Sequence, residues 1–472
     1  MEKIKKRLSL RVPAKASIWY TVSAVVARGI GALSTPIFTR LLTPEEYGLY
    51  PLYNTWLAVA AVILTLELTG GGIYRGLQKF ENSKDDFLSS AFGLFLCVFI
   101  TFCALYFALV KIINPITGLS TFITSLMLIE IFANTVISFY SARARYEYRY
   151  KSATILNLIG ALGAPLIAIA LIFLTNFRSE ARIIGSSLVL SVIGIFALYK
   201  ILTSSHTLYK KEVWGFLLKF NLPLLPHYLA MSLILRISDI VIGRSFGTDA
   251  LGKYSVATSL GMALTVVTGG VLSALSPWLL RKIRAGEENE IRDLLFLVTK
   301  GLCVLSLLML AAAPELLSVL TPPAFHSVLV AVFPLALSVI PIFLSNALTS
   351  AQMYFEKSYI TALPSLVSAA VSITLAVFLL PKVDYRFAAV FVLISYLILA
   401  ALNTLVYKRL SGELPINVKP TLIAFLLTAL YSIPLLLFRG VILSRIVLAL
   451  PLLPVLYILG KQAYEKIKER QA

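Results

Sequence analysis

Two arginines, Arg28 and Arg236, lie in stretches of sequence that are otherwise apolar. An ionisable side chain is costly at membrane depth, so each is a candidate for function. A guanidinium group in surroundings of low dielectric is well suited to bind a phosphate group through two parallel hydrogen bonds. In the alternative interpretation, Asp239 neutralises Arg236 from three residues along the helix. The sequence therefore predicts that Arg28 and Arg236 line a binding cavity, with internal pairing as the alternative.

Three acidic residues accompany these arginines: Glu67, Glu130 and Asp239. Inside apolar segments, such groups bind a coupling cation or proton, or act as counter-ions for the arginines. The sequence slightly favours the counter-ion role for Glu67 and Glu130. Glycines 70–72 follow Glu67 and predict a break or bend, because consecutive glycines weaken a helix.

Basic residues form a second candidate site, which we expect to be the point where a substrate enters from the cytoplasm. It comprises Arg75, near the inner end of its segment, and Arg143, Arg145 and Arg149 in the stretch "SARARYEYRYKSA". Such a patch would attract anionic lipid headgroups. The alternative is the ordinary excess of cytoplasmic positive charge with interfacial tyrosines, which the sequence favours for the stretch.

The composition is that of an integral membrane protein. The chain has 472 residues, of which 58% are hydrophobic and only 14% charged, and its mean hydropathy is +0.87. A soluble domain carries roughly 25% charged residues. The apolar runs are continuous, which indicates helices and excludes a transmembrane barrel. No Walker A, HExxH or GxSxG motif occurs, and the three histidines are scattered, so we expect no cofactor and no metal site.

Fourteen apolar segments of membrane-spanning length are predicted. They cover residues 17–41, 50–76, 87–110, 119–141, 153–175, 182–202, 219–243, 252–280, 293–319, 325–350, 359–380, 385–407, 419–438 and 441–460. With the N-terminus in the cytoplasm, the cytoplasmic loops and tails hold 28 Lys and Arg residues and the opposite loops hold nine. This asymmetry predicts that both chain ends are cytoplasmic. It also explains most of the net charge of +19 without nucleic acid as a partner.

An internal repeat is visible at an offset of 204 residues. Arg, Gly and Tyr recur with the same spacing in two stretches: Arg40, Gly48 and Tyr50, then Arg244, Gly252 and Tyr254. A second pair, "YEYRY" at 146–150 and "FEKSY" at 355–359, lies at an offset of 209. We interpret each Arg, Gly and Tyr set as an outer hinge, in which the arginine ends a helix, the glycine permits the bend and the tyrosine anchors the next helix.

The repeat predicts a parallel duplication about an axis along the membrane normal. Residues 1–205 would form one six-helix lobe and residues 206–410 the other. Residues 411–472 would add two helices and a cytoplasmic tail. Two such lobes are a transporter plan, with the expected substrate path between them.

Two stretches resemble a known family. "TRLLTPEEYGLY" looks like the signature of the polysaccharide-biosynthesis oligosaccharide flippases of the Wzx type. Residues 217–257, with Pro223, Pro226, Asp239, Gly252 and Tyr254, look like their second signature. The resemblance implies the fold of the multidrug and toxin extruders (MATE) and the lipid II flippases, with a central cavity and alternating access. The implied substrate is a polyprenyl-(di)phosphate-linked glycan in the bilayer, and the implied partners include a glycan polymerase and glycosyltransferases.

The leading hypothesis is therefore a flippase that moves a lipid-linked oligosaccharide from the cytoplasmic to the outer leaflet of the cell membrane. A cation-coupled drug antiporter of the same fold is the first alternative, and it would need acidic residues in its pocket. A membrane glycan polymerase or ligase is the second. That enzyme would need a sizeable outer loop, whereas the outer connections here are short.

Overall fold

The computed structural model describes residues 19, 22, 23, 26, 27, 29–147, 149–355 and 358–469. These residues are mostly helical and include no strand. Among them, twelve helices are long and apolar enough to cross a membrane, or thirteen spans if the bent pair Gly247–Gly261 and Thr265–Ser273 is one span. The predicted all-helical membrane fold is confirmed. The first predicted segment, 17–41, is described only in part, so the count of fourteen stays a prediction.

The chain forms two compact units, Met1–Ser232 and Leu233–Ala472. The division falls inside the helix Leu225–Ser245. The lobe boundaries at 205/206 and 410/411, and the symmetry between the lobes, stay predictions.

Within the described residues, the first unit contains the continuous part of α1, eight complete α-helices and the start of a tenth. They are α1 (29–41), α2 (Pro44–Thr65), α3 (Gly72–Lys79), α4 (Lys84–Ala108), α5 (Val110–Thr117), α6 (Thr121–Tyr146), α7 (Tyr150–Leu174), α8 (Ala181–Leu202), α9 (Lys211–Asn221) and the beginning of α10 (Leu225–Ser245).

The second unit continues α10 and adds nine helices in the part of the chain that the structure describes. They are α11 (Gly247–Gly261), α12 (Thr265–Ala285), α13 (Glu288–Leu320), α14 (Leu329–Gln352), α15 (Ser358–Thr374), α16 (Ala388–Ser411), α17 (Val418–Leu437), α18 (Ile442–Ala449) and α19 (Leu452–Glu469).

The turn between α1 and α2 is made by Leu42 and Thr43. Thr43 is the N-cap of α2: its hydroxyl accepts a hydrogen bond from the backbone of Glu46, and the Glu46 side chain accepts one from the backbone of Thr43. Pro44 occupies the first helical position, where its missing N–H costs nothing. Gly48 lies inside α2 and is buried, so our interpretation that it permits the bend is wrong. The capping box and proline start the new helix instead.

The corresponding turn between α10 and α11 also differs from our interpretation. Gly247, with φ +86°, adopts the left-handed conformation that favours glycine. Gly252 lies inside α11 and is buried. The repeated glycines thus share a position within a helix, and neither makes the turn before it.

The predicted segment 50–76 is divided in the structure. Helix α2 ends at Thr65, and α3 begins at Gly72. Leu66 and Glu67 both have φ +48°, which is uncommon for residues with a side chain. A β-carbon on Gly72 would lie 2.4 Å from Nδ2 of Asn221, so this glycine also allows α9 to pack directly against the start of α3.

Aromatic side chains fill the core of the first unit. Phe87, Phe92 and Phe95 of α4 are buried, and Phe95 meets Phe139 of α6 edge to face with ring centroids 6.2 Å apart. A β-carbon on Gly76 would lie 2.0 Å from the Phe87 ring, which shows how closely α3 packs on this core.

The core of the second unit lies around α14, whose residues are buried along most of its length. Phe343 of α14 and Tyr407 of α16 are both fully buried. The Tyr407 hydroxyl donates to the carboxylate of Glu288 at 2.9 Å, which ties α16 to the start of α13.

Candidate functional site

Arg236 lies on α10, in a candidate membrane span, with 33% of its side chain exposed. Its Nη1 lies 3.6 Å from Oδ2 of Asp239, one turn further along, so the structure contains the pairing that the alternative interpretation required. That separation is longer than a hydrogen bond. Within the described residues, the Arg236 guanidinium makes no hydrogen bond, and its N–H donors remain available. The other predicted cavity arginine, Arg28, lies outside the described residues.

Glu130 is buried on α6 and receives three hydroxyl groups. Its Oε2 accepts hydrogen bonds from Tyr53 at 2.8 Å, Ser186 at 2.8 Å and Ser187 at 3.4 Å. Among the described residues, no cationic side chain pairs with this carboxylate. Because Arg28 is not described, the counter-ion role of Glu130 stays a prediction. The hydroxyl shell satisfies a buried acceptor without a cation.

Glu67 lies in the break after α2 and is half-buried. Its backbone N–H donates to the Thr65 hydroxyl at 3.2 Å, and its carbonyl accepts from Gly70 at 3.0 Å. These short-range bonds hold the carboxylate on non-helical backbone. Such a residue in an unusual conformation is a candidate for function, but within the described residues no cation pairs with it.

The arginines of the predicted cytoplasmic basic site differ in their surroundings. Arg143 pairs with Asp85 at 2.6 Å and with Glu147 at 3.0 Å, and Arg149 lies 3.4 Å from Glu147. Arg145 is exposed. The pair with Asp85 holds α6 against the start of α4, so this arginine has a structural role.

Arg75 has a different environment from those arginines. It is exposed on α3, and its guanidinium lies 4.9 Å from the ring centre of Phe220 on α9. The contact is of the cation–π type, which leaves the N–H donors of the guanidinium free for an anion.

Arg178 and Arg182, two of the nine basic residues that the charge count placed in the outer loops, hold the stretch 36–52. Arg178 lies 3.1 Å from Glu46 and donates to the carbonyl of Leu41 at 2.5 Å. Arg182, at the start of α8, stacks over Tyr50 with a distance of 3.8 Å from the guanidinium carbon to the ring centre. The sequence did contain a signal for these contacts: two arginines four residues apart, and an acidic and aromatic stretch that can pair with them. Arg40 is exposed and donates to the carbonyl of Pro36 at 3.0 Å.

In the second repeat, Arg244 is exposed at the last turn of α10 and Tyr254 is buried on α11. The hinge role of Arg244 and Tyr254, and of their counterparts Arg40 and Tyr50, stays a prediction.

The arrangement of helices matches solved membrane transporters. Lipid II flippase MurJ, in an inward closed conformation, matches with a TM-score of 0.68 at 15% identity, covering 95% of this chain and 99% of that chain. An inward-facing multidrug resistance MATE family transporter of the MOP superfamily matches with a TM-score of 0.64 at 14% identity, covering 81% of this chain and 94% of that chain. A MOP superfamily transporter from Pyrococcus furiosus, described as having a binding pocket of reverse polarity, matches with a TM-score of 0.58 at 14% identity. The match covers 90% of this chain and 96% of that chain. At these identities the likeness shows the fold, which is that of the MATE transporters and MurJ.

The sequence itself gives the family. Residues 14–283 match the profile of the polysaccharide biosynthesis protein family. That range is more than half of the 472 residues, so the chain belongs to this family, as its two signature stretches predicted. A search of curated proteins finds no match.

Proposed function

We propose that this protein is a flippase of the cell membrane that moves a polyprenyl-diphosphate-linked oligosaccharide from the cytoplasmic to the outer leaflet by alternating access. The observation that carries the proposal is the family match over residues 14–283. The fold shared with a lipid II flippase supports it. In this proposal both chain ends are cytoplasmic and no catalytic step is needed. Glycosyltransferases act before transport, and a glycan polymerase acts after it.

Arg236 is the residue that we assign to the anionic headgroup, together with Arg28. Its guanidinium is partly exposed within a candidate membrane span and makes no hydrogen bond among the described residues. Asp239 at 3.6 Å lowers the cost of holding the charge there without occupying the donors. A diphosphate would supply the acceptors that this side chain lacks.

The proposal is tested by Arg236→Ala in host cells that depend on this chain, with Lys111→Ala, an exposed cation of α5 outside the predicted sites, as the control. The measurement is the fraction of lipid-linked glycan that an impermeant glycosidase reaches from outside. Hydrogen bonds to charged groups contribute about 1.5–3 kcal/mol, so loss of Arg236 should slow translocation by roughly 10- to 150-fold. The translocation rate of Arg236→Lys should fall between the rates of the wild type and of Arg236→Ala, because lysine is a point charge without the bidentate geometry. Normal glycan export in the alanine variant would overturn the role of Arg236.

Glu130 supports a second candidate, a cation-coupled antiporter of the same fold. A buried carboxylate surrounded by three hydroxyls is a plausible ligand set for a proton or small cation. Ethidium efflux from intact cells distinguishes the candidates: an antiporter would show efflux that depends on a pH or sodium gradient and is lost in Glu130→Gln. The flippase proposal predicts no such efflux.

A further inference from the structure

A groove of about 740 Å³ lies between α3 and α9 in the first unit. Three lysines, three phenylalanines, one glutamate and one glycine line it: Lys79, Phe80, Lys211, Glu212, Gly215, Phe216, Lys219 and Phe220. None of these residues belongs to the site described above, although Arg75 lies over Phe220 at the groove's side.

The spacing of residues along α9 explains the groove. Lys211, Gly215 and Lys219 recur every four residues, as do Glu212, Phe216 and Phe220 in the adjacent row, so both rows lie on one helix face. The opposite face is buried in the unit's core through Val213 and Leu217. Gly215 has no side chain, which leaves open space between the two lysines of its row.

The aromatic rings form a continuous surface under the lysines. Phe216 and Phe220 stack with centroids 6.4 Å apart, and Phe80 meets Phe216 edge to face at 5.9 Å. The Lys79 ammonium lies 4.8 Å from the centre of the Phe216 ring. Apolar rings below cationic groups are typical of the boundary between lipid and water.

The charges of the groove favour an anion with at least two negative charges. Three lysines and one glutamate leave a net charge of +2. Among the described residues, Lys211 and Lys219 make no ion pair, whereas the neighbouring Lys210 pairs with Asp86 at 2.5 Å. The groove thus has unneutralised cations beside an apolar floor.

We propose that this groove is the docking site for the diphosphate of the lipid-linked substrate, with the lysines on the phosphates and the phenylalanine surface under the first prenyl or sugar unit. The inference rests on the proposed function and adds a site where the substrate is bound before transport. Arg75 extends the positive charge from the groove along α3.

The test uses the full-length purified protein in detergent and two probes, farnesyl diphosphate and farnesyl monophosphate, with binding followed by native mass spectrometry. The wild type should bind the diphosphate about tenfold more tightly than the monophosphate, since each added phosphate contact is charge-assisted. The double variant Lys211→Gln, Lys219→Gln should lose at least tenfold in diphosphate affinity. Lys200→Gln is the matched control, because Lys200 also lies over aromatic rings of the first unit but outside the groove.

Competition with phosphatidylglycerol identifies the occupant. If phosphatidylglycerol displaces the diphosphate at equal concentration, the groove is a general anionic-lipid site and the inference is overturned. Unchanged diphosphate affinity in the double variant overturns it as well. The proposed function has its own readout: a wild type that binds the diphosphate in the groove but exports no glycan refutes the flippase, whereas normal export with no groove binding refutes only the docking site.

Discussion

The ion pair between Arg445 and Glu315 is buried unequally, and this predicts how much stability each partner's substitution should remove. Arg445 of α18 has 4% of its side chain exposed, whereas Glu315 of α13 has 42% exposed. Both guanidinium Nη atoms contact the carboxylate, and Nη1 also donates to the carbonyl of Ala311 at 2.6 Å. The pair therefore joins α18 to α13, and only its cationic member is shielded from solvent.

Glu315→Gln should destabilise the protein more than Arg445→Met. The first change leaves a buried guanidinium without its counter-charge, and breaking a buried pair costs about 3–5 kcal/mol. Because Glu315 is partly exposed, we expect the lower end, about 3 kcal/mol. Arg445→Met removes the buried charge, fills similar space and leaves only a partly exposed carboxylate unpaired, so its cost should stay near 1 kcal/mol.

The assay is thermal unfolding of the purified protein in detergent, followed by intrinsic fluorescence. With an unfolding entropy of about 2.1 cal/mol/K per residue, Glu315→Gln should lower the Tm by about 3 °C if the whole chain unfolds together. If the second unit unfolds alone, the shift should be about 6 °C. Asp249→Asn is the control in the same unit, since its pair with Lys253 is exposed and should contribute under about 0.5 kcal/mol. A Tm loss in Arg445→Met equal to or larger than that in Glu315→Gln would refute the reasoning.

Two further predictions follow from packing and hydrogen bonding. Tyr53→Phe removes a 2.8 Å hydrogen bond to the buried Glu130 carboxylate and should lower the free energy of unfolding by about 1.5–3 kcal/mol. The loss would be measured as a Tm shift, and an unchanged Tm would show that the fold does not need this hydrogen bond. Gly93→Ala would place a β-carbon 1.9 Å from the carbonyl oxygen of Leu208, so it should lower folded yield in size-exclusion chromatography, whereas Gly301→Ala, which meets nothing within 4 Å, should not. Equal yields of the two alanine variants would contradict the packing of α4.

Composition and apolar run length were enough to predict an all-helical membrane protein, because a bilayer admits only helices or closed barrels. The MATE-like fold was implied by the family resemblance. The family followed from short motifs such as "TPEEYG", which also encodes a helix start: Thr43, Pro44 and Glu46 form its cap. Local sequence could not show that Gly48 would continue the helix. The capping box, whose N-cap Thr43 lies five residues before Gly48, had already begun it.

The candidate site was harder to predict because its contacts join residues distant in sequence. Arg178 and Arg182 looked like loop charges, yet they contact a stretch more than 130 residues earlier. Glu130 gains its three hydroxyl donors only when α2 and α8 pack beside α6. Lys211 and Lys219 are eight residues apart, a spacing that places them on one face of a helix, but the aromatic floor of their groove depends on α3 packing against α9.

Translocation by the purified protein in vesicles is the measurement that most directly tests the central claim. A polyprenyl-diphosphate-linked oligosaccharide would be placed in one leaflet, a membrane potential imposed, and its arrival in the other leaflet followed with an impermeant glycosidase. A diphosphate with about two charges gains roughly 4–5 kcal/mol per 100 mV on moving to the positive side, so the account predicts accumulation there, strongly reduced by Arg236→Ala. Transfer no faster than in protein-free vesicles would contradict it.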